Sequence, residues 1–197
     1  MVKSRGPGLS QILFAIWLSM FIHQGYVYPH PGGVNVNKTA SKAPLHITEV
    51  QAINLDGSPF HGSSLKGKVI LLDFWAVWCG PCLKAFPDLV KLNRDLAGQN
   101  FEVISIASYS GTAQDVLPVV EQYAIDYRML MGDPTLVERF GVIGFPTYFL
   151  MGPDGTVVKK YVGEVTHLYD QVRNDVRAIQ GEPSITVDTA ASQEGDH

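Results

Sequence analysis

The sequence predicts an α/β fold, a three-layer sandwich in which a central mixed β-sheet carries helices on both faces. The first observation is the segment Val69–Trp75, a nearly continuous apolar, β-branched and aromatic run typical of a strand covered on both faces. Residues 84–96 follow it with leucines at helical spacing. A third segment, starting near residue 166, has apolar residues on one helical face, namely Leu168, Val172, Val176 and Ile179.

Length and composition indicate one domain with extra segments at both ends. The chain has 197 residues and is 46% hydrophobic, which is enough for one good core. The net charge of -4 argues against nucleic acid as a partner. Acidic residues are absent before Glu49, although four basic residues precede it. The N-terminal part is therefore a different kind of sequence from the rest.

Residues 1–28 are predicted to be a signal peptide or a membrane anchor. Lys3 and Arg5 precede an apolar block at 12–22, which is the order of a secretory signal. That block is short for a transmembrane helix, but its extension over 9–28 approaches the length that spans a bilayer. We therefore expect an extracytoplasmic location, in the periplasm or at the outer face of the inner membrane, with possible membrane association. A buried N-terminal helix and an organelle transit peptide remain as alternatives.

The remaining boundaries follow from composition. Residues 29–43 are rich in Pro, Gly, Asn and Ser and are predicted to form a flexible linker. Residues 44–181 are predicted to form the folded domain. Residues 182–197 are small, polar and acidic, and they are predicted to be a disordered tail.

Within the domain, the patterns predict alternating strands and helices. A hairpin over 46–61 turns at Asp56 and Gly57 and closes one edge of the sheet. After the strand at 69–75 and the helix at 84–96, the predicted order is strand, helix, strand, helix, two strands and a final helix. The segments before that final helix are 101–107, 112–124, 127–131, 134–140, 147–151 and 156–162. Thr112 and Asp115 have the spacing of a capping box at the start of the first of these helices.

The only two cysteines, Cys79 and Cys82, lie where the buried strand ends and the next helix begins. Free N–H groups and the positive end of the helix dipole stabilise a thiolate at such a junction. We expect Cys79 to be the exposed sulfur and Cys82 to be more shielded. Two sulfurs at this spacing can close a small ring, and a thiolate can attack a disulfide elsewhere. The chemistry that this arrangement suits is that of a reversible dithiol.

Two other uses of the cysteines stay open. A structural zinc site needs four ligands, and the sequence has neither a second CxxC nor an HxxxH. A purely structural disulfide would close a very short loop and gain little chain entropy. In an exported protein, two cysteines in a single CxxC indicate reactivity rather than a disulfide scaffold.

The sequence around the cysteines, LLDFWAVWCGPCLKAFPDL, resembles the active site of the thioredoxin superfamily, and its flanks are similar to the TlpA/ResA type. The resemblance extends over about residues 45–180. It implies a thioredoxin-like fold and a thiol-disulfide oxidoreductase whose only redox group is the Cys79–Cys82 disulfide, with no metal or added cofactor. Protein disulfides or dithiols would be its substrates, in apocytochrome c or copper-protein maturation, with a membrane electron donor.

We expect this oxidoreductase to act as a monomeric protein-disulfide reductase. A protein disulfide oxidase or isomerase is one alternative function. A non-catalytic, copper-handling thioredoxin-like protein is another.

The resemblance also assigns roles to residues outside the cysteine pair. GVIGFPT at 141–147 matches the loop in which the family places a cis-proline, here Pro146, against the cysteines. An ordinary trans turn is the alternative. Substrate contacts are implied for five residues, namely Trp78, Gly80, Pro81, Phe145 and Pro146.

Asp73 is a carboxylate inside the apolar strand that precedes the cysteines. Burial there would raise its pKa. The family has an Asp six residues before the first cysteine, where it relays a proton to or from the inner sulfur. A hydrogen-bonded carboxylate without a catalytic part is the alternative. Thioredoxins carry a Lys that faces this Asp from the next strand, and residues 101–108 contain none.

Overall fold

The computed structural model describes residues 45–182. The predicted signal or anchor, the linker and the tail from residue 183 onward lie outside the described residues. Between residues 45 and 182, we find no helix with the length and apolar character needed to cross a membrane.

The described part of the chain contains seven strands, four α-helices and two short 3-10 helices. The strands are β1 (Gln51–Asn54), β2 (Pro59–His61), β3 (Val69–Trp75), β4 (Phe101–Ser108), β5 (Arg128–Gly132), β6 (Thr147–Met151) and β7 (Val157–Val162). The α-helices are α1 (Gly80–Asp95), α2 (Ala113–Gln122), α3 (Pro134–Arg139) and α4 (Leu168–Ile179). The 3-10 helices are Ile47–Glu49 and Gly62–Leu65.

The strands form one mixed sheet in the order β2-β1-β5-β4-β3-β6-β7. The central strands β3, β4 and β5 are parallel, whereas β1, β2, β6 and β7 join in antiparallel pairs. The hairpin β1–β2 lies at one edge, as its sequence predicts. Because β3 and β4 are parallel neighbours, their carboxyl ends meet at the same end of the sheet.

Side chains of β3 alternate between two apolar cores, one on each face of the sheet. Leu71 and Trp75 belong to a cluster that includes residues of α1, α2 and α4. Leu72 and Phe74 belong to a second cluster that includes residues of α3 and of both 3-10 helices. All seven residues of β3 are buried, which explains its continuous apolar pattern. The predicted three-layer α/β sandwich, with helices on both faces, is confirmed.

The first predicted strand begins later than expected. Instead of extending from residue 46, the chain forms the 3-10 helix Ile47–Glu49, and β1 begins at Gln51. His46 caps that helix: its ring accepts a hydrogen bond from the Thr48 backbone N–H, and Glu49 accepts one from the His46 backbone N–H at 3.1 Å. Local side-chain bonds of this kind compete with strand pairing, which is why the periodicity alone missed the turn.

Candidate active site

The two cysteines lie at the N-terminus of α1 and are joined by a disulfide with a Cα–Cα distance of 5.3 Å. Cys79 is the N-cap residue, and its Sγ accepts a hydrogen bond from the Cys82 backbone N–H at 3.2 Å. Pro81 occupies the first turn, where the missing N–H costs the helix nothing. The sulfur of Cys79 is thus held at the helix end whose free N–H groups and dipole stabilise a thiolate.

The two cysteines are less exposed than the sequence predicts. Cys79 is only 5% exposed and Cys82 is 2% exposed, so the predicted order holds but Cys79 is not an exposed tip. The bond between the sulfurs draws Cys79 toward Cys82, and both residues belong to the apolar cluster under α1. The neighbouring Trp78, Gly80 and Pro81 are exposed instead. A partner would therefore meet these residues around the disulfide before it meets a sulfur.

A second loop lies beside the cysteine turn and carries the predicted cis-proline. The Phe145–Pro146 peptide bond is cis, as the resemblance implies. Pro146 is buried, and its carbonyl accepts a hydrogen bond from the Gly163 backbone N–H at 2.8 Å. The Phe145 ring is half-buried, and its centroid lies 5.9 Å from that of Trp78 in an edge-to-face arrangement. The structure thus brings the two predicted substrate-binding segments together.

Tyr109 is a member of this surface that the sequence analysis missed. Its ring centroid lies 6.3 Å from that of Phe145, and 54% of the residue is exposed. Its carbonyl oxygen accepts a hydrogen bond from the Trp78 indole N–H at 3.0 Å. The available signal was topological: Tyr109 directly follows β4, whose carboxyl end lies beside that of β3 and hence beside the cysteine turn.

Asp73 is buried in β3, with 1% exposure. Ser105 of β4 pairs with it in register and donates a hydrogen bond from Oγ to Asp73 Oδ2 at 2.6 Å. The other carboxyl oxygen, Oδ1, has no hydrogen-bond partner among the described residues. Burial raises the pKa of Asp73 to about 7, against the smaller lowering effect of the Ser105 bond. The carboxyl can therefore gain or lose a proton near neutral pH.

Asp73 lies on the face of the sheet that α1 covers. Asp73 lies two residues from Leu71 and two from Trp75 along β3, so the three side chains point to the same face of the sheet. Leu71 and Trp75 share an apolar cluster with Cys79 and Cys82. A titratable group is thus placed on the same side of the sheet as the disulfide. Across residues 45–182, no group of three or more His, Cys, Asp or Glu side chains is arranged to hold a metal ion.

A protein-family model described as Redoxin matches residues 38–177. This chain belongs to the Redoxin family. Within it, the chain is of the TlpA/ResA-like type of the thioredoxin superfamily, as the motif around Cys79 indicates.

Curated relatives and solved structures agree with this membership. The thiol-disulfide oxidoreductase ResA of Bacillus subtilis (strain 168) is 29% identical over 127 residues, which cover 64% of this chain and 68% of that protein. ResA of Bacillus anthracis is 32% identical over 114 residues, or 57% of this chain and 65% of that protein. A thiol:disulfide interchange protein of the thioredoxin family from Chlorobium tepidum TLS superposes with a TM-score of 0.58 at 27% identity, covering 70% of this chain and 95% of that chain.

This Redoxin-family chain is an enzyme, an oxidoreductase of the thiol-disulfide class. The bonded cysteine pair at the start of α1 is the group in the described structure that can carry this chemistry.

Proposed function

We propose that this oxidoreductase reduces disulfides of exported proteins through the Cys79–Cys82 dithiol. The observation that carries the proposal is the position of the disulfide at the N-terminus of α1, where Cys79 Sγ accepts a hydrogen bond from the Cys82 backbone N–H. Once the pair is reduced, the free N–H groups at this helix N-terminus stabilise the Cys79 thiolate that attacks the partner.

The reaction uses two exchange steps. The Cys79 thiolate attacks one sulfur of the partner disulfide, so that a mixed disulfide forms and the other partner sulfur leaves as a thiolate. The Cys82 thiolate then attacks Cys79 Sγ, which closes the Cys79–Cys82 disulfide and releases the second partner thiolate. Two electrons pass to the partner, so a dithiol donor must reduce the pair again before the next cycle.

Asp73 is proposed to take the proton of Cys82 during the second step. Its burial under α1 and its free Oδ1 support this role, because a carboxylate with a pKa near 7 can both accept and return a proton at neutral pH. In the reverse direction, with a partner dithiol, the same carboxyl would return the proton to the leaving Cys82 sulfur.

An extended segment of the partner is proposed to bind across the cysteine turn and the cis-proline loop. Trp78, Gly80 and Pro81 provide the exposed side of this surface, and Phe145 and Pro146 provide the other. The exposed aromatic rings would contact apolar side chains next to the partner's cysteine.

The cellular location, the substrates and the electron donor are also proposed. We place the protein outside the cytoplasm, in the periplasm or at the outer face of the inner membrane, where an apocytochrome c or a copper protein would be a substrate and a membrane dithiol protein the electron donor. Nucleic acid is not a proposed partner, and the active form is a monomer with no cofactor beyond its own disulfide.

The reduction potential of the Cys79–Cys82 pair tests the direction of electron flow. The full chain is equilibrated with a thiol buffer, and the oxidised fraction is measured by alkylation and mass. A value of about -270 mV or lower supports a reductant, whereas a value of about -120 mV makes the protein an oxidant.

Substitution of the cysteines tests the assignment itself. Cys79→Ser should abolish disulfide reduction, while Cys82→Ser should accumulate the mixed disulfide with its partner, because the second step has no nucleophile. Full reductase activity in Cys79→Ser contradicts the proposed function. Stoichiometric Cu(I) binding without redox cycling would favour copper handling instead.

A further inference from the structure

Among the described residues, one hydrogen-bond donor reaches the buried carboxyl of Asp73, and it is Ser105. The two residues pair directly across the parallel strands β3 and β4, and Ser105 Oγ lies 2.6 Å from Asp73 Oδ2. Ser105 is itself fully buried. Oδ1 has no partner among residues 45–182, so the Ser105 bond fixes one carboxyl oxygen and leaves the other free.

Tyr127 contacts Ser105 through its hydroxyl group. Its hydroxyl oxygen is 3.4 Å from Ser105 Oγ, at the outer limit of a hydrogen bond. Its half-buried ring lines a surface groove of about 730 Å³. Burial raises the pKa of Tyr127 well above its ordinary value, so the hydroxyl stays protonated and can donate. Ser105 Oγ has one proton, and the 2.6 Å bond to Asp73 Oδ2 uses it, so the 3.4 Å contact can be a hydrogen bond only with Tyr127 as the donor.

The other groups around Asp73 come from two further elements. β6 places Tyr148 in register with Asp73 on the opposite side from Ser105. α1 covers this face of the sheet and carries Cys82 and Asp88, and Asp88 acts electrostatically on Tyr148. Desolvation is the largest influence on the Asp73 pKa and raises it, whereas the hydrogen bond from Ser105 lowers it.

We propose that Ser105 is a positioning residue that holds the Asp73 carboxylate with Oδ1 free for the Cys82 proton, and that Tyr127 orients the Ser105 hydroxyl. This inference rests on the proposed function. A hydrogen bond to a carboxylate favours its charged form. Without that bond, Asp73 remains protonated to higher pH, and Cys82 then lacks a proton acceptor near neutrality.

The test is the pH dependence of the second exchange step. The reduced full chain is mixed with a small aromatic disulfide: the first aromatic thiol leaves as the mixed disulfide with Cys79 forms, and Cys82 then releases the second. This second release is followed by stopped-flow absorbance between pH 5 and 9. In Ser105→Ala, the midpoint of the profile should move upward by about one pH unit, with release about fivefold slower at pH 7. Ser105→Thr keeps the hydroxyl and should restore the original midpoint.

Two tyrosine variants separate this role from a purely structural one. Tyr127→Phe removes the second hydroxyl but keeps the ring, and it should move the midpoint upward by a smaller amount. Tyr148→Phe is the matched control, because Tyr148 also neighbours Asp73 but makes no hydrogen bond to it in the described structure, and it should leave the midpoint unchanged.

The outcomes separate a failure of the Ser105 role from a failure of the proposed reductase function. Identical profiles for Ser105→Ala and the unaltered protein overturn the role of Ser105, while Cys79-dependent turnover would still support the proposed function. Absence of turnover in the unaltered protein defeats the proposed function itself, and this inference with it. If Ser105→Ala does not fold, Tyr127→Phe decides alone, and an unchanged midpoint there overturns the inference.

Discussion

The indole N–H of Trp78 donates a hydrogen bond to the carbonyl oxygen of Tyr109, 3.0 Å away. This bond joins the cysteine turn after β3 to the loop after β4. Phe145, from the cis-proline loop, packs against both rings, with centroid distances of 5.9 Å to Trp78 and 6.3 Å to Tyr109. Three loops thus present one aromatic surface next to the disulfide, with Phe145 at its centre.

Phe145→Ala should weaken partner binding. The substitution removes the central ring of the aromatic surface, which lies against Trp78 and Tyr109, and an aromatic contact between this ring and a partner side chain would be worth about 0.5–1.5 kcal/mol. We expect kcat/KM for a protein disulfide to fall by about tenfold, mainly through KM, in a steady-state reductase assay.

Val158→Ala provides the matched control for that substitution. Val158 is 56% exposed and lies on β7, apart from the aromatic surface. Its kcat/KM should remain within about twofold of the unaltered protein. An equal loss in both variants would mean that the aromatic surface has no special part in binding.

Asp73→Asn should stabilise the protein at alkaline pH. The unfolded chain releases the Asp73 proton near its ordinary pKa of about 4, but burial holds the pKa in the fold at about 7. The protonated carboxyl therefore contributes stability that is fully present below about pH 4 and is lost as the pH rises through about 7. Asparagine has no proton to lose, so the variant should be more stable by up to about 4 kcal/mol at pH 8.

Urea unfolding of the oxidised full chain at pH 4 and pH 8 measures this difference. At pH 4, the two proteins should agree within about 1 kcal/mol. Asp170→Asn, an exposed position in α4, should show a pH-dependent change below about 1 kcal/mol. A stability advantage of Asp73→Asn that is equal at both pH values would show that the buried charge is not its cause.

Gly62→Ala should be strongly destabilising, whereas Gly80→Ala should not. A Cβ at Gly62 would collide with the backbone carbonyl of Ile47, and backbone cannot move aside cheaply. A Cβ at Gly80 would meet open space, and alanine is the better helix former at the start of α1. We expect a loss of about 3 kcal/mol for Gly62→Ala and a change within about 1 kcal/mol for Gly80→Ala.

Thermal and urea denaturation of both oxidised variants checks this pair. Similar stability of the two variants would mean that the 3-10 helix Ile47–Glu49 can shift to make room. That would remove the steric reason for glycine where β2 ends.

The sequence by itself determined the element that carries the chemistry. The apolar run of β3, the Gly-Pro turn and the helical leucines are local patterns, and they place Cys79 and Cys82 at a strand-to-helix junction without knowledge of any distant contact. The cis-proline loop was predicted from a motif, and the capping box of α2 from the spacing of Thr112 and Asp115. The first strand was predicted to start at His46, but it starts at Gln51. The reason is that His46 caps the 3-10 helix Ile47–Glu49 through local hydrogen bonds, which hydrophobic periodicity does not detect.

Only the tertiary structure decided which side chains complete the site. Ser105 reaches Asp73 across 32 residues, and Tyr109 reaches Trp78 across 31. Both contacts depend on the register between parallel β3 and β4, where a slip of one residue would turn Ser105 to the other face of the sheet. Hydrophobic periodicity places Asp73 within a buried strand, but the neighbour that donates a hydrogen bond to it is set by the packing of strands distant in sequence.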